Sequence, residues 1–399
     1  MSGIPCGDED GSYLVVNEIL IDVGRLVYRF MKGRLPTGID RVSLAYVAHF
    51  APRARAVVRV AGRTIVLSRA GSDRLFAHLL APGPDFAWAA RRIVGLESLR
   101  LPQPGWMRGR FLFNTSHSSL ELPAYRAQLR RQGVKPLFLV HDLIPLTHPE
   151  YCRAGERDRH VARMETVLNV GCGVIANSQV TLDDLRRYAM ARNKTMPAAV
   201  AAPLAPSPLP PPSANRPLDG PYFVMLGTIE PRKNHWLMLQ LWRRLAERYG
   251  DLAPSLVIIG QRGWEYENVE DMLERCEALR GKVFERNACS DAEVSTFLRH
   301  AQALLFPSFA EGYGMPLAEA LAAGVPVIAS DLPVFHAIAG DVPDYADPLD
   351  VPRWMALIEE YAQEGSVARS AQVERMVRYR APTWEGHFAT VDAFLDGLG

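Results

Sequence analysis

The 399-residue chain has few of the features that staple, anchor or charge a protein. Its five cysteines (Cys6, Cys152, Cys172, Cys276 and Cys289) are scattered and odd in number, and no Cys-x-x-Cys occurs. Neither a disulfide framework nor a zinc ribbon is indicated, and a reducing cytosol is the simplest home. No apolar stretch approaches the ~18 residues that would suggest a membrane span. The start, Met1–Gly11, is acidic and polar, without a charged-then-apolar signal pattern. No Gly-x-Gly-x-x-Gly follows a strand-like run and no P-loop occurs, so a nicotinamide enzyme would lack its phosphate fingerprint. There is no internal repeat and no nucleic-acid motif. An Asp-x-Asp lies in Asp8-Glu9-Asp10, but in a polar terminus with no strand before it. It reads as solvated, and no metal is expected.

What is present describes a globular chain, 48% apolar, too long for one ordinary core. Two domains are expected. The net charge of +1 conceals an asymmetry. Residues 1–200 hold 28 Lys/Arg against 17 Asp/Glu, and residues 201–399 hold 17 against 27. A basic first half suits an anionic partner, such as an acidic lipid surface or a lipid-linked phosphate acceptor, or else is simply solvated.

From Ala202 to Pro221 there are eight prolines, including Pro210-Pro211-Pro212. Neither a helix nor a central strand tolerates that density, so a stiff linker is expected at 202–221. Beyond it, Tyr222–Leu226, Ser255–Ile259, Ala303–Pro307 and Val325–Ala329 are short apolar runs. Amphipathic stretches near Trp236–Tyr249, Val269–Leu279, Asp291–Ala301 and Pro316–Ala323 separate them. Strands alternating with helices imply a parallel sheet covered on both faces. The first half repeats the rhythm less cleanly. Strands are expected at Val57–Val60, Phe111–Phe113, Pro136–Val140 and Val174–Ala176, and helices at Ile39–Phe50 and Tyr151–Val170. Two doubly wound, Rossmann-like α/β domains facing a central cleft follow, with ligands at the carboxyl ends of the strands.

Five loops carry candidate chemistry. Glu311-Gly-Tyr-Gly-Met-Pro-Leu-Ala-Glu319 sets two carboxylates around a glycine-rich elbow that opens a helix. Its glycines (Gly312, Gly314) and the helix start offer backbone N–H groups to an anion, and Pro316 fits the first helical position with Gly324 closing the helix. Gly227-Thr228-Ile229-Glu230-Pro231-Arg232-Lys233-Asn234 follows the strand Tyr222–Leu226. Its Arg232 and Lys233 suit a diphosphate. His141-Asp142 follows Pro136–Val140 and is a candidate for gripping a sugar hydroxyl. Thr37-Gly38-Ile39-Asp40-Arg41 opens a helix beside Arg25, Arg29, Lys32 and Arg34, again favouring an anion. In Asn287-Ala288-Cys289-Ser290, Ser290 with Glu293 reads as a capping box, while the backbone of Asn287–Cys289 could line a base pocket.

Together these segments resemble the retaining glycosyltransferases of the GT-B fold, specifically glycosyltransferase family four. The glutamate pair resembles that family's E-x(7)-E signature, flanked by Ala303-Leu-Leu-Phe-Pro-Ser308 and Gly324-Val-Pro-Val-Ile-Ala-Ser330. The resemblance implies an acceptor domain at 1–201, a nucleotide-sugar domain at 222–380, and a terminal helix within 381–399 that crosses back. It implies Glu311, His141, Arg232 and Lys233 as catalytic. It places the donor against Gly38, Thr228, Arg232, Lys233, Asn287, Ala288, Gly312, Tyr313, Gly314, Met315, Leu317 and Glu319. Many family members carry arginine directly after the loop glycine, where this chain has Thr228. The variant loop is most similar to bacterial mannosyltransferases that build surface polysaccharide. That implies transfer of mannose from GDP-mannose to a glycan or lipid-linked acceptor, with GDP-rhamnose or a UDP-hexose as alternative donors. A UDP-sugar-dependent glucosyltransferase and a non-catalytic sugar-nucleotide-binding scaffold are the competing readings. No cofactor is implied, the sugar nucleotide being a co-substrate, and the expected location is cytoplasmic, peripheral at the inner membrane face.

Overall fold

The computed structural model describes residues 18–60, 62–99 and 105–398. Cys6 and Asp8-Glu9-Asp10 lie outside them. Contacts gather the chain into two units, Met1–Ser116 with Leu129–Pro136, and His117–Gln128 with Leu137–Gly399.

In the first unit, β1 (Ile19–Asp22) lies between β2 (Ala54–Val60) and β4 (Phe111–Asn114), parallel to both, and β3 (Arg63–Val66) runs antiparallel to β2. Ile19, Leu20 and Ile21 are buried, and Phe113 stacks on Phe50 at 5.0 Å. Helix Gly38–Phe50 begins on a capping box. Buried Asp40 accepts from Thr37 N at 2.8 Å and Thr37 Oγ1 at 2.6 Å, and pairs with Arg25 at 3.0 Å and Arg29 at 2.8 Å. Burial alone would raise the Asp40 pKa, but the Thr37 bonds and the Arg25 charge hold it below the usual carboxylate value. The helix start that looked ready for an anion thus already faces one from its own chain, and two of the neighbouring arginines are engaged by it.

The second unit receives most of β5 (Lys135–Val140) and all of β6 (Gly173–Ala176) and β7 (Ala198–Ala201), which pair in parallel. It also holds a fully parallel sheet of β8 (Tyr222–Leu226), β9 (Ser255–Ile259), β10 (Val283–Arg286), β11 (Leu304–Phe306), β12 (Val327–Ser330) and β13 (Asp344–Ala346), ordered β10-β9-β8-β11-β12-β13. The expected runs at Tyr222–Leu226 and Ser255–Ile259 are strands over those same residues. Because side chains alternate, Phe223 and Met225 enter one core with Trp242, Leu256 and Trp354. Tyr222 and Val224 enter another, on the opposite face, with Val257, Phe306, Leu317 and Phe335. Both faces being buried is why these strands read as continuous apolar runs. The two tryptophans keep their N–H groups bonded, Trp242 to Pro254 O at 2.9 Å and Trp354 to Asp347 O at 3.0 Å.

Residues 202–221 join β7 to β8 without helix or strand. Their carbonyl and amide groups dock on helix Asp291–His300, through Ser295 Oγ to Pro210 O at 2.5 Å and Ser213 N to Thr296 Oγ1 at 2.9 Å. The helix expected from Tyr151 starts later, at Glu156, since a 3-10 turn at Pro149–Tyr151 and a left-handed Gly155 precede it. The last helix, Trp384–Leu398, packs on β7, with His387 Nδ1 3.2 Å from Ala202 O and 3.1 Å from Pro203 O.

The loop after β8 owes its path to a glycine on β9's far end. A Cβ on Gly260 would lie 1.8 Å from Gly227 O, so only glycine allows the two loops to touch. Gly260→Ala should therefore lower stability by about 1–3 kcal/mol, as overpacking does. Gly95→Ala, in helix Phe86–Ser98 with open space around the site, should not destabilise. Thermal unfolding of both variants checks this, and equal melting temperatures would refute it.

Candidate functional site

In the six-stranded sheet, β8 has β9 on one side and β11 on the other, and the strand order reverses between β8 and β11. The loops leaving their carboxyl ends must diverge there, which is where open α/β sheets bind ligands. From β8 comes Gly227–Asn234, and from β11 comes Pro307–Gly314. The first is fixed by Gly227 N to Ile259 O at 3.0 Å, Ile229 N to Gln261 O at 2.9 Å and a 3-10 turn at Pro231–Lys233. Left-handed Asn234 then starts helix His235–Tyr249 and donates to Pro348 O at 3.0 Å. Phe309 N donates to Arg232 O at 2.8 Å, joining the two loop backbones.

That joint brings four charges together. Glu311, its side chain 7% exposed, accepts from Lys233 Nζ at 2.5 Å and Ser308 Oγ at 2.8 Å on Oε1, and pairs with Arg232 Nη1 at 2.7 Å through Oε2. Arg232 Nε faces Glu230 Oε1 at 2.5 Å, and its Nη1 also donates to Ala310 O at 3.0 Å. Lys233 Nζ sits 4.6 Å from the Phe306 ring centre, over its face. Two carboxylates and two cations balance in a largely desolvated place.

Protonation follows. Burial by itself would raise the Glu311 pKa, but Arg232 and Lys233 overcome it and hold the group at about 2. Burial pushes Glu230 up, against the pull of Arg232. Burial also pushes Lys233 down, opposed by Glu311. His235, buried beside Lys233, falls to about 3 through burial and that charge, and stays neutral.

His141 and Asp142 leave the end of β5 and meet the glutamate loop. A Cβ on Gly312 would lie 2.6 Å from His141 O and 2.7 Å from Asp142 Cβ. Position 312 thus admits only a glycine if the two loops are to stay in contact. Thr181 Oγ1 donates to Gly312 O at 3.2 Å, and Asn177 Nδ2 donates to His141 O at 2.7 Å. The buried His141 ring lies 5.3 Å from that of His117, itself 5.7 Å from His160. Burial and the neighbouring His141 keep His117 well below the usual histidine pKa.

Thr228 packs toward Gly263, where a Cβ would lie 2.6 Å from Thr228 Cγ2. Helix Met315–Ala322 starts after left-handed Gly314, with Pro316 at its second position rather than its first. Gly324 closes it, Val325 N donating to Ala320 O at 2.9 Å and Gly324 N to Leu321 O at 3.1 Å. The side chain of Leu317 belongs to the core, and its N–H donates to Gly314 O at 3.0 Å. Tyr313 is buried and donates its hydroxyl to Leu204 O at 2.6 Å. Met315 and Glu319 are half-buried along the helix. Exposed Asn287 and Ala288 follow β10, and the Asn287 amide, oriented to donate, reaches Gly260 O at 3.1 Å and Glu285 Oε1 at 2.9 Å. Ser290 and Glu293 do form the expected capping box. Gly38 lies in the first unit, at the helix start that Asp40 occupies.

Sequence reasoning passed over Glu230, Ser308 and His117. Glu230 and Ser308 lie inside those motifs, but they hold other side chains, which no spacing rule reveals. His117 had no sequence signal.

Residues 211–342 match the sequence model of the family described as glycosyl transferases group 1. That match spans about a third of the chain. The serotype-specific mannosyltransferase WbdA of Escherichia coli is 29% identical over 296 residues, covering 63% of this chain and 34% of WbdA. The chain therefore spans about a third of that relative's length. O-antigen chain mannosyltransferase B of the same species is 31% identical over 164 residues, 41% of this chain and 42% of that protein. Among solved structures, HepE of Anabaena in complex with UDP and glucose superposes with a TM-score of 0.64 at 12% identity, over 95% of this chain and 99% of its own. Sucrose-phosphate synthase from Thermosynechococcus elongatus gives 0.63 at 15%, over 96% and 99%. The chain accordingly has a GT-B fold. The matched residues include Glu311, the carboxylate on which both cations of the β8 loop converge. Among the described residues no helix is long and apolar enough to cross a membrane, and no group of three or more His, Cys, Asp or Glu is arranged to hold a metal ion.

Glu311 binds its proton less readily in the folded chain than when unfolded, where glutamates titrate near ~4.3. Its stabilisation is complete above that pH and is lost as the pH falls toward 2. Melting temperature should therefore fall more steeply between pH 5 and about 2 in the wild type than in Glu311→Gln. Parallel slopes would contradict the ion cluster.

Proposed function

We propose that this chain is a retaining glycosyltransferase that moves mannose from GDP-mannose onto a surface glycan or lipid-linked acceptor. The observation that carries the reading is the Arg232–Lys233–Glu311 cluster at the strand-order reversal, within a group 1 glycosyl transferase domain. The mannosyltransferase names of the relatives from Escherichia coli support the choice of sugar.

Departure of a nucleoside diphosphate separates charge, so the site should stabilise the leaving phosphates. Arg232 keeps Nη2 for a ligand, because Nε faces Glu230 and Nη1 is engaged with Glu311 and Ala310. Lys233 has three N–H donors, of which Glu311 and its site use only part. Glu311 holds both cations in place before the donor arrives, which reduces the reorganisation needed on binding. With the donor bound, the lone pair left on Glu311 Oε2 accepts from a sugar hydroxyl. Glu319, further along the helix, takes the ribose hydroxyls, and His141, held against Gly312, contacts the sugar.

In front-face attack the bond from the anomeric carbon to the diphosphate breaks as the bond to the acceptor oxygen forms on the same face. The acceptor proton passes to the departing phosphate oxygen, so no protein base is required. The sugar nucleotide is a co-substrate, and no metal takes part. The surplus of basic residues in the first half suits peripheral attachment to an anionic membrane on its cytoplasmic side.

Glu311→Ala should melt at a lower temperature, since it leaves Arg232 and Lys233 without their shared counter-charge, and where it is still folded should lose transfer by ~10²–10³ in rate. Release of nucleotide from GDP-mannose, read beside the melting temperature, decides it, and full activity would count against the role. Lys233→Ala should weaken GDP binding at least tenfold by calorimetry, given about 1.5–3 kcal/mol for a charged hydrogen bond. An unchanged dissociation constant would refute the assignment. A larger thermal shift with UDP than with GDP would replace mannose by a UDP-sugar.

A further inference from the structure

Away from the ion cluster, the second unit contains a cavity of about 310 Å³ whose lining includes Arg375, Arg378, Tyr379 and Arg380 on one side and Ile338 and Val342 on the other. That volume lies within the range of small-ligand pockets. Two of the three arginines have charge to offer. Arg375 is committed, donating from Nε to Val342 O at 3.1 Å and pairing with Asp344 at 2.6 Å. Arg380 donates Nη1 only to the carbonyls of Val377 at 2.9 Å and Tyr379 at 3.0 Å. Neither it nor Arg378 enters an ion pair among the described residues, and both are exposed. Asp341 is the acid in the lining, leaving two unpaired guanidiniums against one carboxylate. Tyr379, between them in the chain, packs against the core and has its hydroxyl shielded from solvent, so it lends the lining its ring and not a donor.

We propose that this cavity binds a phosphate-bearing small ligand at a site separate from the Glu311 cluster. Guanidinium groups at 378 and 380 present planar donor forks to phosphate oxygens. The wall of Ile338 and Val342 gives the attached organic part an apolar surface. The pocket lies beside the segment that joins helix Val367–Met376 to helix Trp384–Leu398, so occupancy would stiffen the approach to the helix that packs on β7. A free phosphorylated metabolite and a lipid phosphate headgroup share this chemistry.

The test titrates the full chain with glycerol phosphate by calorimetry, and sediments it with vesicles of phosphatidylglycerol. Wild type, Arg378→Ser, the double variant Arg378→Ser/Arg380→Ser, and Lys233→Ala are compared, with melting temperatures to confirm folding. Saturable binding that survives Lys233→Ala and falls at least about tenfold in the double variant supports the site. Arginine-dependent binding to vesicles alone supports it with a lipid headgroup as the source. Binding that disappears with Lys233→Ala, that is unchanged in the arginine variants, or that is absent from both probes overturns it.

Discussion

Everything at the candidate site depends on one carboxylate held between two cations in a place with little water. An isolated charge in such surroundings is strongly disfavoured, and Glu311, Arg232 and Lys233 are tolerable there only together. Because Glu311 belongs to the loop after β11 and the cations to the loop after β8, their pairing also fixes the two loops to each other. The sheet imposes the meeting: β8 and β11 are neighbours at which the strand order turns back, so their outgoing loops emerge side by side.

The surroundings serve the same constraint. Gly260 leaves room for the β8 loop, and Gly312 leaves room for His141 and Asp142. Ser308 and Glu230 complete the coordination of Glu311 and Arg232. None of these four needs to touch a ligand to matter. Their shared effect is that the ion cluster is held in place by the chain's own contacts, with little left to rearrange.

Much of this was legible in the sequence, and the reasons for the rest are physical. The strands β8 and β9 read correctly because burial on both faces leaves an unmistakable apolar run. By contrast β7 is Ala-Ala-Val-Ala and β13 is Asp-Tyr-Ala, too short and too weak in β-formers to stand out. Strand β3, on an antiparallel edge, lies within Arg-Thr-Ile-Val without full burial, and β1 was hidden in the short run before a helix. Glu311, Arg232 and Lys233 could be named as chemistry-bearing from residue type and position after strands. That they neutralise one another could not, since pairing across 78 residues is a property of the sheet order. Nor could spacing show that Asp40, at the helix start after Gly38, is buried and paired with Arg25 and Arg29.

A crystal of the chain soaked with GDP-mannose tests the central claim most directly. The account predicts the diphosphate within hydrogen-bonding distance of Arg232 and Lys233, with the sugar ring over the Glu311–Gly312 turn. A donor lodged elsewhere, with the Arg232–Lys233–Glu311 cluster undisturbed and untouched, would contradict it.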